Sequence, residues 1–292
     1  MVRRGSVLVV VVACLVALTS SPAMAAVGSR NDDYNRDGIS DLLAINKDPG
    51  SNGCLYRWSG DGAGGLGPAA RQGCGWNAYE PAAAGDLNGD GNGDVVAISG
   101  SKCLWRWYGN GQGGFGVGVS VGCGWDLYTD LMGPGDITGD GNEDLVAIEL
   151  IKTDPCMMRW AGNGQGAFFP AAAVSCGVGW ELYRDITAAG DINRDGRPDL
   201  VGVKKDSECL YRFFGDGRGG FGAGAAIGCD FAGYEDLTGL TDLNEDGIGD
   251  LLARRSVGDG VYALVAWYGT GYGGYVGVRE LGRAGWAAMD LI

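Results

Sequence analysis

Apolar residues in this chain come in bursts of four or five, separated by stretches rich in glycine, aspartate and asparagine. The bursts recur in register. Leu42–Ile45, Val95–Ile98, Leu145–Ile148, Leu200–Val203 and Leu251–Arg254 form one set. Cys54–Trp58, Cys103–Trp107, Cys156–Trp160, Cys209–Phe213 and Ala263–Trp267 form a second. A glycine-rich segment such as Gly109–Phe115 follows each of the latter. Then come a third strand signal, a Cys-Gly-Trp-like junction and a fourth apolar segment. After residue 25 no run shows clear helical periodicity. Four short strands in each unit of about 52 residues, with glycine turns between them, predict the blades of a β-propeller. The glycine turns repeat in every unit and no helix follows any of them, so they are read as positive-φ turns and not as phosphate loops.

Each unit opens with the same acidic phrase, nine residues long, with oxygen donors at alternate positions and glycine at the sixth. The side chains are Asp33, Asn35, Asp37 and Asp41; Asp86, Asn88, Asp90 and Asp94; Asp136, Thr138, Asp140 and Asp144; Asp191, Asn193, Asp195 and Asp199; and Asp242, Asn244, Asp246 and Asp250. The seventh position would add its backbone carbonyl, at Ile39, Asn92, Asn142, Arg197 and Ile248. Hard divalent cations take six to eight such oxygens, so the expectation is up to five structural Ca2+ ions. A metal-free Asx turn is the competing reading of any single copy.

Eight cysteines lie in the repeats, each pair 20 residues apart: Cys54 and Cys74, Cys103 and Cys123, Cys156 and Cys176, Cys209 and Cys229. The repeat selects the pairing within each unit. The fifth unit lacks both partners, with Ala263 and Arg283 near those positions. The ninth cysteine, Cys14, falls in an N-terminal segment with a basic start at Arg3 and Arg4, an apolar run from Val7 to Leu18 and a small-residue site at Ala23-Met24-Ala25. Residues 1–25 are read as a secretory signal peptide and 26–292 as a single propeller domain. Secretion, an extracellular location and disulfides agree with one another. No other stretch is apolar enough to span a bilayer, so the mature chain is expected to have no membrane span.

The formal charge is -14, and losing Arg3 and Arg4 makes it -16. Nucleic acid is a poor partner for such a chain, because phosphate binding needs a basic surface. There is no histidine. With the cysteines paired, the usual triads and metal–histidine centres are excluded, and the chain is read as non-enzymatic. A paired-carboxylate hydrolase or lyase is the remaining catalytic alternative.

The acidic phrase, the apolar residues after it and the Gly-Asn-Gly-x-Gly-x-Phe turn resemble the FG-GAP/VCBS repeat family. The resemblance covers nearly all of residues 31–292. It implies propeller blades with a calcium ion in an inter-strand loop, and by likeness to propeller lectins it implies carbohydrate binding. Familiar members have seven blades, whereas this chain has five units. Its ends answer that difference. The segment Trp286–Ile292 matches Trp125–Leu131, which elsewhere leads into an acidic loop, and the mature chain starts on that loop. The expectation is an all-β, five-bladed β-propeller with four-stranded blades, closed by pairing of its N- and C-terminal segments.

Three further positions recur in four units: Arg57, Arg106, Arg159 and Arg212; Trp76, Trp125, Trp180 and Phe231; and Tyr79, Tyr128, Tyr183 and Tyr234. These are the candidate ligand residues, since aromatic faces stack on sugars and arginine supplies directed donors. The competing expectation packs the aromatics between blades and pairs the arginines with Glu80, Asp130, Asp185 or Asp236. The partner is expected to be a glycan or cell-surface ligand, or a protein in a larger secreted assembly such as a toxin complex.

Overall fold

The computed structural model describes residues 32–150 and 155–292; the signal-peptide reading of residues 1–25 lies outside them. Five four-stranded antiparallel sheets form the blades of a propeller. Blade 1 contains β1 (Leu42–Asn46), β2 (Cys54–Gly60) and β3 (Leu66–Gly73). Blade 2 is β4 (Tyr79–Gly85), β5 (Asp94–Ser99), β6 (Cys103–Trp107) and β7 (Val119–Cys123). Blade 3 is β8 (Tyr128–Gly135), β9 (Asp144–Glu149), β10 (Cys156–Trp160) and β11 (Ala172–Cys176). Blade 4 is β12 (Tyr183–Ala188), β13 (Leu200–Lys204), β14 (Cys209–Phe213) and β15 (Ala225–Gly228). Blade 5 is β16 (Tyr234–Leu240), β17 (Asp250–Gly258), β18 (Val261–Gly269) and β19 (Tyr275–Gly282). The last strand, β20 (Met289–Leu291), completes blade 1 in the order β20-β1-β2-β3.

Strand position explains strand composition. β4 packs on β8, β8 on β12, β12 on β16 and β16 on β20, so these innermost strands surround the axis. The second strand of each blade is covered by neighbouring blades on both faces. That is why it reads as a continuous apolar run and not as an alternation. Leu42, Leu43, Ala44 and Ile45 are all buried, and so are Val95–Ile98 and Leu145–Ile148. The outermost strands are largely exposed.

Each disulfide ties an exposed outer strand to its neighbour or to the junction beyond it. Cys54–Cys74, Cys103–Cys123, Cys156–Cys176 and Cys209–Cys229 all close within one unit. Cys103 and Cys123 are directly opposed across β6 and β7. Blade 5 has no bridge, and its second and third strands are the longest among the described residues. β17 and β18 have nine residues each, where β13 and β14 of blade 4 have five, and β19 has eight, as does β3 of the bridged blade 1. An Arg255–Glu280 ion pair at 2.9 Å adds a further contact there.

The ring closes where β20, which follows blade 5 in the chain, joins blade 1. β20 pairs with β1 over only three positions, Ala44 with Leu291, Ile45 with Asp290 and Asn46 with Met289. Side chains reinforce this short ladder. Gly85, Gly135 and Gly190 precede the acidic loops of three other units, but Asp32 and Thr241 take that position in the first and fifth. The buried Asp32 carboxylate accepts hydrogen bonds from Thr241 N at 2.9 Å, from the Thr241 hydroxyl and from Ser40 Oγ at 2.9 Å. Ser40 Oγ in turn accepts from Asp242 N at 2.8 Å.

Replacing Asp32 by alanine strands these donors in a dry site. With each unsatisfied buried group costing about 1–3 kcal/mol, Asp32→Ala is expected to lower unfolding stability by about 2–4 kcal/mol in urea denaturation. A loss below about 0.5 kcal/mol would show that the seam does not depend on this carboxylate.

Candidate functional site

In blades 2 to 5 the acidic loops join the innermost strand to the second strand, and in blade 1 the loop leads into β1. Their last aspartate does the same thing five times. Asp94 Oδ2 accepts from Leu87 N at 2.9 Å and its Oδ1 from Gly109 N at 2.8 Å. Asp41 does so with Tyr34 and Gly60, Asp144 with Ile137 and Gly162, Asp199 with Ile192 and Gly215, and Asp250 with Leu243 and Gly269. All five are almost fully buried. Burial pushes Asp94, Asp199 and Asp250 up to about 7 and Asp41 to about 6, and it raises Asp144 in the same direction.

The remaining loop carboxylates turn inward on their own backbone. Asp86 Oδ1 accepts from Gly89 N and Asp90 N, and its Oδ2 accepts from Gly91 N. Asp136 repeats this with Gly139, Asp140 and Gly141, and Asp191 and Asp242 follow the pattern. The expectation of up to five Ca2+ ions is therefore corrected. Among the described residues no group of three or more His, Cys, Asp or Glu side chains converges to hold a metal ion. The reason is geometric: oxygens that would face a cation are spent on backbone N–H donors, the Asx-turn chemistry that aspartate and asparagine also favour. The correction covers Asp33, Asn35, Asp37, Ile39 and Asp41 and their counterparts in the other four loops.

The glycine turn of each blade docks on the acidic loop of the preceding one. Gly113 N donates to Tyr34 O at 2.8 Å, Gly166 N to Leu87 O at 2.7 Å, Gly219 N to Ile137 O at 2.7 Å and Gly273 N to Ile192 O at 2.7 Å. Gly64 N donates to Leu243 O at 3.3 Å to close the circle. These glycines all have positive φ, and a Cβ there would collide with Arg57, Tyr108, Arg159, Phe214 or Tyr268.

The candidate arginines lie in these junctions. Arg159 Nη1 donates to Arg218 O at 3.2 Å and Arg212 Nη1 to Tyr272 O at 2.9 Å, both in the turn of the next blade. Arg57 Nη1 pairs with Asp41 Oδ2 at 2.9 Å beneath Gly113. The guanidiniums of Arg106 and Arg212 lie 4.9 and 4.4 Å from the ring centroids of Tyr108 and Phe214. The fifth unit has Ala266 at this position, but its cross-strand partner Arg279 donates to Ala63 O at 2.7 Å and Tyr268 Oη to Gly64 O at 2.7 Å. Sequence alignment alone missed that substitution.

The candidate aromatics are packing residues. Trp76, Trp125, Trp180, Phe231 and Trp286 are buried and meet Trp107, Trp160, Phe213, Trp267 and Trp58 at centroid distances of 4.5–5.6 Å. Tyr79, Tyr128, Tyr183 and Tyr234 stand edge-on to the same strand aromatics. Adjacent residues of a strand face opposite ways, so the side chains of Arg106 and Trp107 leave β6 toward different blades.

One cluster breaks the repeat. Arg184, Asp185, Glu208, Ala232, Tyr234, Glu235 and Asp236 line a cleft of about 360 Å3 between blades 4 and 5. Glu80, Thr129, Glu235 and Asp290 occupy the position of Arg184 in other units, so alignment shows the departure without showing what surrounds it.

Two outcomes follow from the buried aspartates. Asp94→Ala leaves two buried N–H groups unpaired and should cost about 2–5 kcal/mol, whereas Asp90→Ala, in the exposed part of the loop, should cost under about 1 kcal/mol; urea melts compare them. The raised carboxyls also set a pH dependence. With folded pKa values above the unfolded 3.8, the native state binds more protons, so stability should fall between about pH 5 and about pH 7 and level off above. A stability that climbs across that window would refute the burial argument.

Residues 33–97 and 136–202 match the FG-GAP-like repeat. No curated protein matches the chain. Among solved structures, an Agrocybe aegerita lectin described as recognising non-reducing terminal N-acetylglucosamine is 20% identical, with a TM-score of 0.46, over 86% of this chain and 64% of its own. This chain thus spans somewhat less than two thirds of that lectin. AofleA from Arthrobotrys oligospora is 10% identical, with a TM-score of 0.41, over 90% of both chains. A triple arginine-to-alanine variant of AofleA is 11% identical, with a TM-score of 0.41, over 86% of this chain and 74% of the variant. The chain is a five-bladed β-propeller in which two segments match the FG-GAP-like repeat.

Proposed function

We propose that this protein is a secreted recognition module that binds carbohydrate at the arginine-bearing junctions between blades. One observation carries the reading. Arg57, Arg106, Arg159 and Arg212 each have a buried Nε that lacks a hydrogen-bond partner among the described residues. A buried unpaired donor costs about 1–3 kcal/mol, so these four equivalent guanidiniums carry more donors than the chain's own acceptors satisfy. A sugar hydroxyl accepts from the exposed terminal nitrogens of such guanidiniums, as at Arg159 and Arg212, and its ring supplies a C–H face for neighbours such as Tyr108 and Phe214. The repetition suits multivalent binding, in which several weak sites act together.

Residues 1–25 act in this reading as the export signal and 26–292 as the single mature domain. Four disulfides fit an oxidising compartment. Among the described residues no helix is long and apolar enough to cross a membrane. Apolar side chains exposed on blade 5, Tyr272, Val276 and Val278, favour a second reading as a protein-binding adaptor.

A glycan array decides between them. The carbohydrate reading expects bound glycans, with Arg106→Ala and Arg212→Ala each weakening single-site affinity about ten- to a hundredfold, as loss of a charged hydrogen bond does. An array with no bound glycan at high protein concentration, alongside a co-purifying protein, would replace it with the adaptor reading.

A further inference from the structure

The cleft between blades 4 and 5 has a chemistry that the repeats do not impose. Its guanidinium is already engaged. Arg184 Nη1 donates to Asp185 Oδ2 and, at 3.1 Å, to Tyr234 O, while Nη2 donates to Glu208 Oε2 at 2.5 Å and Phe231 O at 2.9 Å. An anion entering the cleft would find both terminal nitrogens taken. Acceptors, by contrast, remain open. Asp185 Oδ1, Glu208 Oε1 and Asp236 Oδ1 receive no hydrogen bond from any described residue. Four carboxylates line the cleft against one guanidinium. A second arginine, Arg254, holds Asp236 at 2.8 Å and Glu235 at 3.5 Å from behind, and its Nη1 bonds Trp286 O and Ala287 O.

The walls are fixed in place. Asp185 and Asp236 occupy the same position of adjacent innermost strands, both with φ of 50° at a bulge that turns their side chains out of the ladder. Tyr234 gives the cleft an aromatic wall, and Phe231 and Trp267 brace that ring. A site with three unfilled acceptors, an excess of negative charge and an aromatic wall selects a ligand that donates hydrogen bonds, carries positive charge and presents an apolar face.

We propose that this cleft is a single subsite for a sugar residue bearing a free, protonated amino group, an N-unsubstituted hexosamine. This rests on the carbohydrate reading above, but it uses other residues and occurs once where the arginine junctions occur four times. The ammonium meets the carboxylates, the hydroxyls donate to the remaining oxygens, and the sugar's C–H face lies on Tyr234.

Calorimetric titration of the intact protein with glucosamine oligomers, with N-acetylated oligomers of the same length and with a lysine-rich peptide tests it. Glu208→Gln and Glu235→Gln are the variants, since both side chains are partly exposed and should leave the melting temperature unchanged. The expected result is binding of the free-amine oligomer at least tenfold tighter than the acetylated one. Either variant should reduce that binding about tenfold, and Arg106→Ala should leave it unaltered. Equal binding of the acetylated oligomer, equal or tighter binding of the peptide, or no response to Glu208→Gln overturns the assignment. Failure of the carbohydrate reading itself is seen separately, as acetylated or neutral glycans that do not respond to Arg106→Ala.

Discussion

The structure depends on a buried aspartate used five times. The last carboxylate of each acidic loop grips two backbone N–H groups, one at the second residue of its own loop and one where the third strand ends. The carbonyl of that second loop residue then accepts from the glycine turn of the next blade. One side chain thus fixes a loop, a strand end and a blade junction together. The cost is a carboxyl held out of water, visible in its raised pKa.

This arrangement separates tasks along the chain. The second strands and the junction tryptophans bury apolar surface, and the disulfides secure outer strands that share little of that core. Blade 5, where the bridge is missing, has the two longest strands. Where the glycine is missing, at the 5–1 seam, Asp32 and Thr241 bond each other instead. At that seam the missing glycine is met by a side-chain contact, as expected if every seam of a closed ring must hold.

Polar chemistry left over from these duties lies in two places. The strand arginines sit at junctions, each with one donor unmatched. The Arg184 cleft concentrates acceptors near the axis. Apart from Tyr234, which walls the Arg184 cleft, neither involves the tryptophans and tyrosines that first suggest a sugar platform, because those rings pack against strand aromatics.

The sequence by itself determined the number of blades, the strands within them, the pairing of cysteines and the closure of the ring. All of these follow from periodicity, and periodicity survives without coordinates. It also showed where arginine recurs. Only the tertiary structure decided where side-chain atoms point. The acidic loops carry donors at calcium-like spacing, yet spacing does not say whether an oxygen faces a cation or a backbone N–H, and here Asp86 and Asp136 face N–H groups. Likewise Arg279 replaces a missing arginine from another strand, and Glu208 meets Arg184 across 24 residues. Such contacts join positions that no repeat aligns, because pairing between strands, and not distance along the chain, sets which side chains meet.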